Sequence, residues 1–501
     1  MTADCLLGID IGTYSSKGVL VQESGRVTAS AGVEHELSLP RPGHVEHDPE
    51  KLWWGDFRAL VRELLQRSGL DPRRIAGIGI STISPAVVAA DEQGVALRPA
   101  ILYGIDTRAT GEIRELHERT GAALSSQSAA PKVLWIRRHE PQVWARTRRI
   151  LNGCGYLVLR LTGQSVIDVY DAALFAPFFD PSTQTWRREL AAQVAPVEMM
   201  PRPRWTCEPA GRVTGTAGKE TGLAEGTPVI TGTADAAAEA ISAGLTEVGE
   251  LMLMYGSSTF FILRTAELRE APGFWASPFL EKDSYVVAGG TATAGSLTRW
   301  FRDNFAPAEL AAQRAGSAEA YQALAGLAAS SPPGSNGLVA LPYFAGERTP
   351  LHDPQARGVV FGLGLGHSRA DLYRSLLEAV GYSIRHNLEA LEEQGCRARR
   401  ILAVGGGTRN PAWMQMVSDI AGIAQDIPDQ QIGASYGDAF LAGVGVGMFQ
   451  GLSEIHRWVR YRETLRPEAS LRPMYDSLYR IYRELYRRNR DLMSGLGELA
   501  R

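Results

Sequence analysis

Residues 5–22, CLLGIDIGTYSSKGVLVQ, decide the fold of this chain. Two apolar runs flank a short Gly/Thr/Ser segment, which is the pattern of two antiparallel strands joined by a tight turn. Residues 25–39, GRVTASAGVEHELSL, continue with the alternation of a third strand. The chain therefore begins with a predicted three-stranded antiparallel unit.

A helix and further strands follow this unit. In residues 48–69 the apolar side chains recur at helical spacing, and Asp48 followed by Pro49 is typical of a helix N-cap and first helical position. The segments RRIAGIGIST (73–82) and PAVVAAD (85–91) are predicted buried strands. Three strands, a helix, and then strands alternating with helices form an α/β fold with the RNase-H-like order of the actin superfamily.

The length predicts two domains. A chain of 501 residues exceeds what one hydrophobic core organises, so two domains of about 200 to 250 residues are expected. A second pair of apolar strands around a small-residue turn occurs at 249–265, GELMLMYGSSTFFILRT. We therefore predict domains at 1–245 and 246–501. An unrelated hairpin inside a larger α/β domain is the alternative.

Composition and charge exclude several classes of protein. The chain is 45% hydrophobic and 21% charged, as an ordinary globular protein is, and its net charge of −3 predicts no nucleic-acid or membrane partner. Its four cysteines show no metal-ligand spacing and are interpreted as reduced thiols. The first residues lack the features of a signal peptide, so a cytoplasmic location is expected. The tail from about residue 473 predicts an amphipathic helix docked on the second domain, with a lipid- or partner-binding helix as the alternative.

The first motif that suggests chemistry is DIGTYSSK at residues 10–17. Gly12 in the turn would let the backbone approach an anion, and the residues after it offer hydroxyl and amide donors to phosphate oxygens. Asp10, at the end of a buried strand, could hold Mg²⁺ through water. The alternative is an ordinary hairpin. The candidate ATP-binding residues of this motif are Gly12, Thr13, Tyr14, Ser15, Ser16 and Lys17.

The second motif, TGTADAAAE at residues 231–239, follows a predicted strand and opens a helix of small residues. Gly232 and Thr233 lie where free backbone N–H groups of a helix N-terminus could bind phosphate. Asp235 falls in the first helical turn. It is either a helix N-cap or the general base that deprotonates an attacking hydroxyl.

Further glycine-rich turns lie in the second half. Gly405, Gly406 and Gly407 separate a predicted strand from a helix, so that a flat ligand such as adenosine could lie on bare backbone; Asn410 follows them. A helix entry with loose turn chemistry is the alternative. Gly437, Asp438 and Ala439, with the small-residue helix FLAGVGVG behind them, would line the same cleft. The turn of the second hairpin, with Gly256, Ser257 and Ser258, is a further candidate for nucleotide contact.

Four longer blocks resemble the FGGY family of carbohydrate kinases, and the likeness extends over the whole chain. They are GHVEHDP (43–49) with Trp53 and Trp54, PYFAGERTP (342–350), GVVFGL (358–363) and DLYRSLLE (371–378). The resemblance implies two RNase-H-like domains flanking a catalytic cleft, with sugar mainly on the N-terminal domain and ATP mainly on the C-terminal one. It implies that Asp235 is the catalytic base, that the turns named above bind ATP, that Mg²⁺ is required, and that the chain forms a homodimer.

Within the family the nearest likeness is to xylulokinases, through LRPAIL (97–102) and APKVLWIRRHEP (130–141). Residues 81–85, STISP, stand where xylulokinases carry GQMHG. Ser81, Thr82 and Ser84 could donate hydrogen bonds to a polyol, with ordinary strand-end residues as the alternative. Asp106 and Arg108 match a family segment that faces the sugar, with a surface ion pair as the alternative. Asp10 and Asp235 complete the predicted substrate contacts, and Asp171 is a weaker candidate.

The resulting expectation is an ATP-dependent kinase for a small sugar, with a ketopentose such as D-xylulose as the first choice. Glycerol, a tetritol, a pentitol and ribulose are the alternative acceptors. The competing classes are an actin- or chaperone-type ATPase without a small acceptor and a pseudo-kinase that senses sugar. A dedicated base at Asp235 favours the kinase, because only an alcohol acceptor needs one.

Overall fold

The computed structural model describes residues 4–269, 271–317 and 319–499. Its strands, in chain order, are β1 (Cys5–Ile11), β2 (Ser15–Gln22), β3 (Val27–Glu34), β4 (Glu46–His47), β5 (Ile75–Thr82), β6 (Val88–Ala90), β7 (Ala100–Ile101), β8 (Arg149–Leu151), β9 (Val166–Asp168), β10 (Phe179–Asp180), β11 (Thr185–Trp186), β12 (Arg202–Arg204), β13 (Pro209–Arg212), β14 (Pro228–Ile230), β15 (Thr233–Ala234), β16 (Glu250–Tyr255), β17 (Thr259–Thr265), β18 (Trp275–Pro278), β19 (Tyr285–Gly289), β20 (Val339–Leu341), β21 (Val359–Phe361), β22 (Arg400–Val404), β23 (Gln425–Pro428) and β24 (Tyr461–Leu465).

The α-helices are α1 (Gly55–Ser68), α2 (Thr110–Thr120), α3 (Ala129–His139), α4 (Pro141–Arg146), α5 (Gly153–Thr162), α6 (Val169–Ala173), α7 (Arg188–Ala191), α8 (Gly215–Thr221), α9 (Asp235–Ser242), α10 (Gly295–Phe305), α11 (Pro307–Arg314), α12 (Ala320–Ala329), α13 (Arg369–Glu393), α14 (Pro411–Ala421), α15 (Ala434–Gly445) and α16 (Arg472–Leu499). None of these helices is both long enough and apolar enough to cross a lipid bilayer.

The chain packs as two compact units. Unit 1 comprises residues 1–246, 277–285 and 432–459, and unit 2 comprises residues 247–276, 286–431 and 460–501. Packing thus assigns α15, late in the chain, to unit 1. The predicted boundary near residue 245 separates a sugar-binding domain from a nucleotide-binding domain, and this division stays a prediction.

The first sheet has the strand order β13-β14-β5-β1-β2-β3, and β15 also pairs with β5. The strands β1, β2 and β3 are antiparallel, whereas β5 runs parallel to β1. This confirms the antiparallel start and the RNase-H-like order expected from residues 5–91. The predicted helix forms as a π-helical segment, Pro49–Trp54, that continues into α1, and the Asp48 side chain accepts hydrogen bonds from the amides of Glu50 and Lys51 at the beginning of this segment.

Two paired glycines let α15 lie directly on the first sheet. Gly8 of β1 and Gly79 of β5 are register partners. A Cβ at Gly8 would lie 1.9 Å from the Ser435 carbonyl oxygen, and one at Gly79 would lie 2.0 Å from the Asp438 carbonyl oxygen. Because neither glycine carries a side chain, the helix backbone touches the strands and Asp438 reaches the strand ends.

The second sheet has the order β18-β19-β17-β16-β22-β23-β24. Its strands β16 and β17 form the predicted second hairpin, in which Met254 pairs with Phe260, and β22 runs parallel to β16. In unit 2 the tail helix α16 buries Tyr475 and Tyr482 against Tyr343 and Tyr382. The expectation of a helix docked on the second half of the chain is thus confirmed.

Candidate functional site

In unit 1 the carboxyl ends of three parallel strands bring the predicted residues together. Asp10 of β1 pairs with Ser81 of β5, and Ser81 in turn pairs with Thr233 of β15. Asp235 is the first residue of α9, directly after β15, and its carboxylate accepts a 2.7 Å hydrogen bond from the amide of Ala236. The carboxyl end of a sheet is where α/β proteins bind their ligands.

A fourth residue, Asp438 of α15, joins this group. The Ser81 hydroxyl lies 2.7 Å from Asp438 Oδ2 and 3.2 Å from Asp10 Oδ1. Asp438 is 1% exposed, and its second oxygen, Oδ1, has no hydrogen-bond partner in the structure. One serine hydroxyl therefore links two buried carboxyl groups from opposite ends of the sequence.

Burial and mutual repulsion raise the pKa values of these carboxyl groups. Desolvation, only partly offset by Lys17 and Ser81, raises the pKa of Asp10 to about 6. Desolvation together with the nearby Asp10 holds the pKa of Asp235 and that of Asp438 well above the ordinary value. Carboxyl groups with strongly raised pKa values in one place are typical of a catalytic site.

A second polar cluster adjoins the first. The Asp171 carboxylate accepts hydrogen bonds of 2.5 Å from the Ser84 hydroxyl and the Asn152 side-chain amide. Desolvation raises the pKa of Asp171 to about 6, and the charge of Asp171 contributes to the raised pKa of Asp235. The predicted candidates Ser84 and Asp171 thus belong to the same group as the predicted base.

Tyr170 forms an apolar wall beside these carboxylates. Its ring contacts Phe279 edge to face, with centroids 5.9 Å apart. Desolvation and the charges of Asp171, Asp168 and Asp235 raise the pKa of its phenol. Sequence reasoning did not select Tyr170, because an aromatic residue on a short helix carries no local signal of function.

The predicted phosphate turn at residues 10–17 is a tight hairpin. The Gly12 amide donates to the Ser15 carbonyl oxygen at 3.0 Å. Lys17 is the register partner of Asp10 on β2, and its charge lowers the pKa of Asp10. Tyr14 is 65% exposed at the turn, and Thr13 shares a 3.0 Å hydrogen bond with the Tyr103 hydroxyl.

Ser16 lies on the opposite face of β2 from Lys17, because successive side chains of a strand alternate. Its hydroxyl is fully buried and donates a 2.7 Å hydrogen bond to Asp56 of α1. The structure therefore commits the Ser16 side chain to the fold, and the phosphate contact of this residue stays a prediction.

Gly232 and Thr233 approach the sheet closely at the start of α9. Gly232 has φ of 73°, and a Cβ there would lie 2.3 Å from the Ile80 carbonyl oxygen. The Thr233 hydroxyl is buried and donates to Asp168 at 2.6 Å. The Gly232 amide donates to the Thr206 carbonyl oxygen at 3.2 Å, and the phosphate contact of these two residues stays a prediction.

The predicted turns of unit 2 also meet at strand ends. Gly405 follows β22, and a Cβ there would lie 2.8 Å from the Tyr255 carbonyl oxygen of β16. Gly256, Ser257 and Ser258 form the turn directly after Tyr255. Gly405 and Gly406 expose bare backbone, and Gly407 is half-buried. The Asn410 side chain caps α14 by accepting a hydrogen bond from the Trp413 amide.

Several predicted sugar contacts are buried. Asp106 and Arg108 pair with each other at 2.7 Å, and Arg108 also pairs with Glu46; both side chains are at most 1% exposed. This ion pair is therefore a buried one and not the surface pair weighed as the alternative. Ser81 and Thr82 are fully buried as well. A direct sugar contact by these four residues stays a prediction.

Direct protein ligands for a metal ion are few. Across residues 4–269, 271–317 and 319–499 no group of three or more His, Cys, Asp or Glu side chains could hold a metal. Magnesium in phosphoryl-transfer sites usually keeps several waters and binds one or two carboxylates plus substrate phosphates. The carboxylate of Asp10 at the end of β1 fits that water-mediated mode.

Asp438 was expected to line the cleft, and the glycine contacts beneath α15 bring it close to the site although it lies about 200 residues after Asp235. Besides Tyr170, sequence reasoning missed three participants. Asn152 and Asp168 are buried hydrogen-bond partners without a motif of their own. Glu239 lies one helical turn after Asp235, and desolvation raises its pKa to about 7. The i, i+4 spacing of Asp235 and Glu239 was the one signal that could have shown the last of these.

The two seven-stranded sheets, the first with an antiparallel start and a parallel β5, place the chain in the class of actin-like ATPase folds. Comparison with known proteins agrees. The N-terminal domain model of the FGGY family of carbohydrate kinases matches residues 5–242, and the C-terminal domain model of the same family matches residues 251–446. The chain belongs to the FGGY family of carbohydrate kinases, enzymes that phosphorylate sugars, and the family implies ATP as phosphoryl donor.

Relatives of known name cover the whole chain. A xylulose kinase from Bacillus subtilis (strain 168) is 30% identical over 98% of both chains. A xylulose kinase from Staphylococcus epidermidis is 28% identical over 99% of both chains. The crystal structure of a xylulose kinase from Rhodospirillum rubrum, 33% identical, has a TM-score of 0.90 and covers 98% of this chain and 99% of that one.

Proposed function

We propose that the chain transfers the γ-phosphoryl group of ATP to a hydroxyl group of a small ketose, and that the acceptor is D-xylulose. The observation that carries this proposal is Asp235 at the first position of α9, within a group of buried carboxylates at the carboxyl ends of β1, β5 and β15. Family membership and full-length similarity to xylulose kinases support the reaction and the acceptor.

Asp235 acts as the general base. Its ionised carboxylate accepts the proton of the acceptor hydroxyl while that oxygen bonds to the γ-phosphorus, and the bond from phosphorus to the leaving oxygen of ADP breaks. Burial near Asp10 and Asp171 makes Asp235 a stronger base once it is ionised, because the site disfavours its charge. The same repulsion keeps the carboxyl protonated at low pH.

The acceptor contacts the polar cluster of unit 1. Ser84 stands in the segment where xylulokinases carry their substrate motif, and it is half-buried and bonded to Asp171. Asn152 and Asp171 supply donor and acceptor groups in the same cluster. Ser84 stands in the place of the histidine of the xylulokinase motif GQMHG. Because serine has no imidazole with which to contact the sugar, a different small polyol or ketose is the second candidate acceptor.

The nucleotide contacts the glycine-rich turns. Residues 12–17 and 232–233 bind phosphate oxygens, with Lys17 adding positive charge. The exposed backbone of Gly405 and Gly406 suits the flat adenine ring, and residues 256–258 add a further contact. Bound Mg²⁺ would neutralise phosphate charge, with Asp10 holding it through water. The chain is further proposed to lie in the cytoplasm and to form a homodimer.

An ADP-release screen tests the function. Purified chain with Mg²⁺ and ATP is offered D-xylulose, D-ribulose, glycerol, tetritols and pentitols. D-xylulose should give the largest rise in turnover, and Asp235→Asn should lower kcat by about a thousandfold or more, because the hydroxyl then lacks its base. Asp303→Asn, an exposed change on α10, is the matched control and should keep full activity.

The outcomes separate the rival classes. If ATP turnover is present but no acceptor raises it, the chain is an ATPase and the kinase proposal fails. If a sugar binds but ATP is not turned over, the chain is a sugar-sensing pseudo-kinase and the kinase proposal fails. An Asp235→Asn enzyme with most of its activity would show that another group is the base.

A further inference from the structure

A histidine outside the predicted site holds the turn at residues 12–15. His35 follows β3, and its backbone amide donates to the Tyr14 carbonyl oxygen at 3.0 Å. Its ring reaches under the same turn, where Nε2 lies 3.2 Å from the Gly12 carbonyl oxygen. The other ring nitrogen, Nδ1, lies 3.0 Å from Asp56 Oδ2 of α1. Only 7% of the His35 side chain is exposed.

Both ring nitrogens of His35 therefore face hydrogen-bond acceptors. A carbonyl oxygen never donates, and an ionised carboxylate only accepts. A neutral imidazole has one N–H group and would satisfy only one of the two contacts. The Ser16 hydroxyl donates to the same Asp56 oxygen at 2.7 Å, so this oxygen acts as an acceptor.

We propose that His35 is a positioning residue for phosphate binding: as a buried imidazolium paired with Asp56, it donates a hydrogen bond to the Gly12 carbonyl oxygen and holds the 12–15 turn in shape. The inference rests on the proposed function insofar as this turn binds ATP phosphates. The positive ring also lies close enough to Asp10 to lower the pKa of that carboxyl.

The groups that face the His35 ring come from four elements. Asp56 of α1 and the Gly12 carbonyl after β1 bind its two nitrogens. His47 of β4 contacts it edge to face, with ring centroids 5.1 Å apart. Desolvation and the charge of His35 lower the pKa of His47 to about 4, so His47 is neutral at pH 7. Of these two rings only His35 carries the charge, which also acts on Asp10 of β1.

Nitrogen NMR of the full chain labelled with ¹⁵N-histidine tests the charge directly. At pH 7 both ring nitrogens of His35 should resonate in the range of protonated nitrogen, and this signal, assigned by its loss in His35→Gln, should persist without any ligand. One bare nitrogen at pH 7 overturns the proposal. Because this readout needs neither ATP nor sugar, it is independent of the kinase assignment.

Kinetics tests the positioning role. In His35→Gln the KM for ATP should rise about tenfold, the equivalent of one charge-assisted hydrogen bond, while the KM for the acceptor changes less than about twofold. Direct ATP titration gives the same comparison if no acceptor is active. A variant that loses only thermal stability, with ATP affinity intact, would show that His35 is merely structural.

Two variants supply the matched controls. Asp56→Asn removes the carboxylate that pairs with His35 Nδ1, so the KM for ATP should rise as it does in His35→Gln. His47→Gln, whose Oε1 can still accept from the Trp53 indole as His47 Nδ1 does, should leave the KM for ATP unchanged. An unchanged KM in Asp56→Asn, or a raised one in His47→Gln, overturns the proposal.

Discussion

At the scale of single residues, the site gathers negative charge that the fold does little to neutralise. Asp10, Asp235 and Asp438 share one buried region, with Lys17 as the cation that lowers the pKa of Asp10. Asp10 and Asp235 were predicted from motifs, because each lies at or just after the end of a strand that is visible in the sequence. Asp438 was expected only as part of the cleft lining, and its hydrogen bond to Ser81, 357 residues away in the chain, was not evident in the sequence.

The raised pKa of Asp235 predicts a pH dependence of catalysis. Below that pKa the base is protonated, so kcat/KM for the acceptor should rise with pH on the acid side of the profile. Glu239→Gln removes a charge that raises the pKa of Asp235, so this limb should shift to lower pH. Steady-state rates in overlapping buffers measure the shift, with exposed Glu189→Gln as the control. A limb at the same pH in both variants would contradict this assignment.

At the scale of elements, close backbone contact sets the geometry of the site. A Cβ at Gly437 of α15 would lie 2.0 Å from the Ala238 carbonyl oxygen of α9. The small-residue composition of both segments was evident in the sequence, whereas their contact was not. Since α9 carries Asp235 and α15 carries Asp438, the crossing of these two helices places both carboxyl groups.

Gly437→Ala should therefore damage both stability and activity. The added methyl group must push the helices apart, at a cost of about 1–3 kcal/mol in the free energy of unfolding. Gly326→Ala in α12 is the matched control, because a Cβ there meets nothing within 4 Å. It should stabilise the chain by about 0.5–1 kcal/mol, since alanine favours a helix over glycine. Denaturant unfolding measures both, and equal effects of the two changes would refute the argument.

At the scale of the whole molecule, carboxylates have opposite effects on the free energy of unfolding. A buried carboxylate of the site lowers it, whereas a hydrogen-bonded carboxylate elsewhere raises it. The Asp10 carboxyl, with its pKa raised by desolvation from 3.8 to about 6, releases its proton more readily in the unfolded chain. Its cost to folding is therefore absent at low pH, grows between these two values and is complete above about pH 6. Asp371, which caps α13, shows the opposite behaviour, because hydroxyl groups of Ser331 and Ser368 lower its pKa.

Paired substitutions should show opposite signs. Asp10→Asn should raise the unfolding free energy at pH 7.5 by roughly 1–3 kcal/mol and by much less at pH 4. Asp371→Asn should lower the unfolding free energy at pH 7.5, and the loss should shrink toward low pH as Asp371 itself becomes protonated. Thermal unfolding of the unliganded chain at both pH values measures these differences. A stability change of the same sign in both variants would contradict the linkage.

The sequence by itself determined the α/β class, the antiparallel start, the second hairpin, the tail helix and the family. Each depends on a local pattern or on motifs a few residues long, which can be recognised without knowledge of the fold. Only the tertiary structure decided that Ser16 and Thr233 turn their hydroxyls inward, that Asp106 and Arg108 form a buried ion pair, and that α15 brings Asp438 to Asp10. The orientation of a side chain and its distant neighbours follow from packing, and packing couples residues that the sequence keeps hundreds of positions apart.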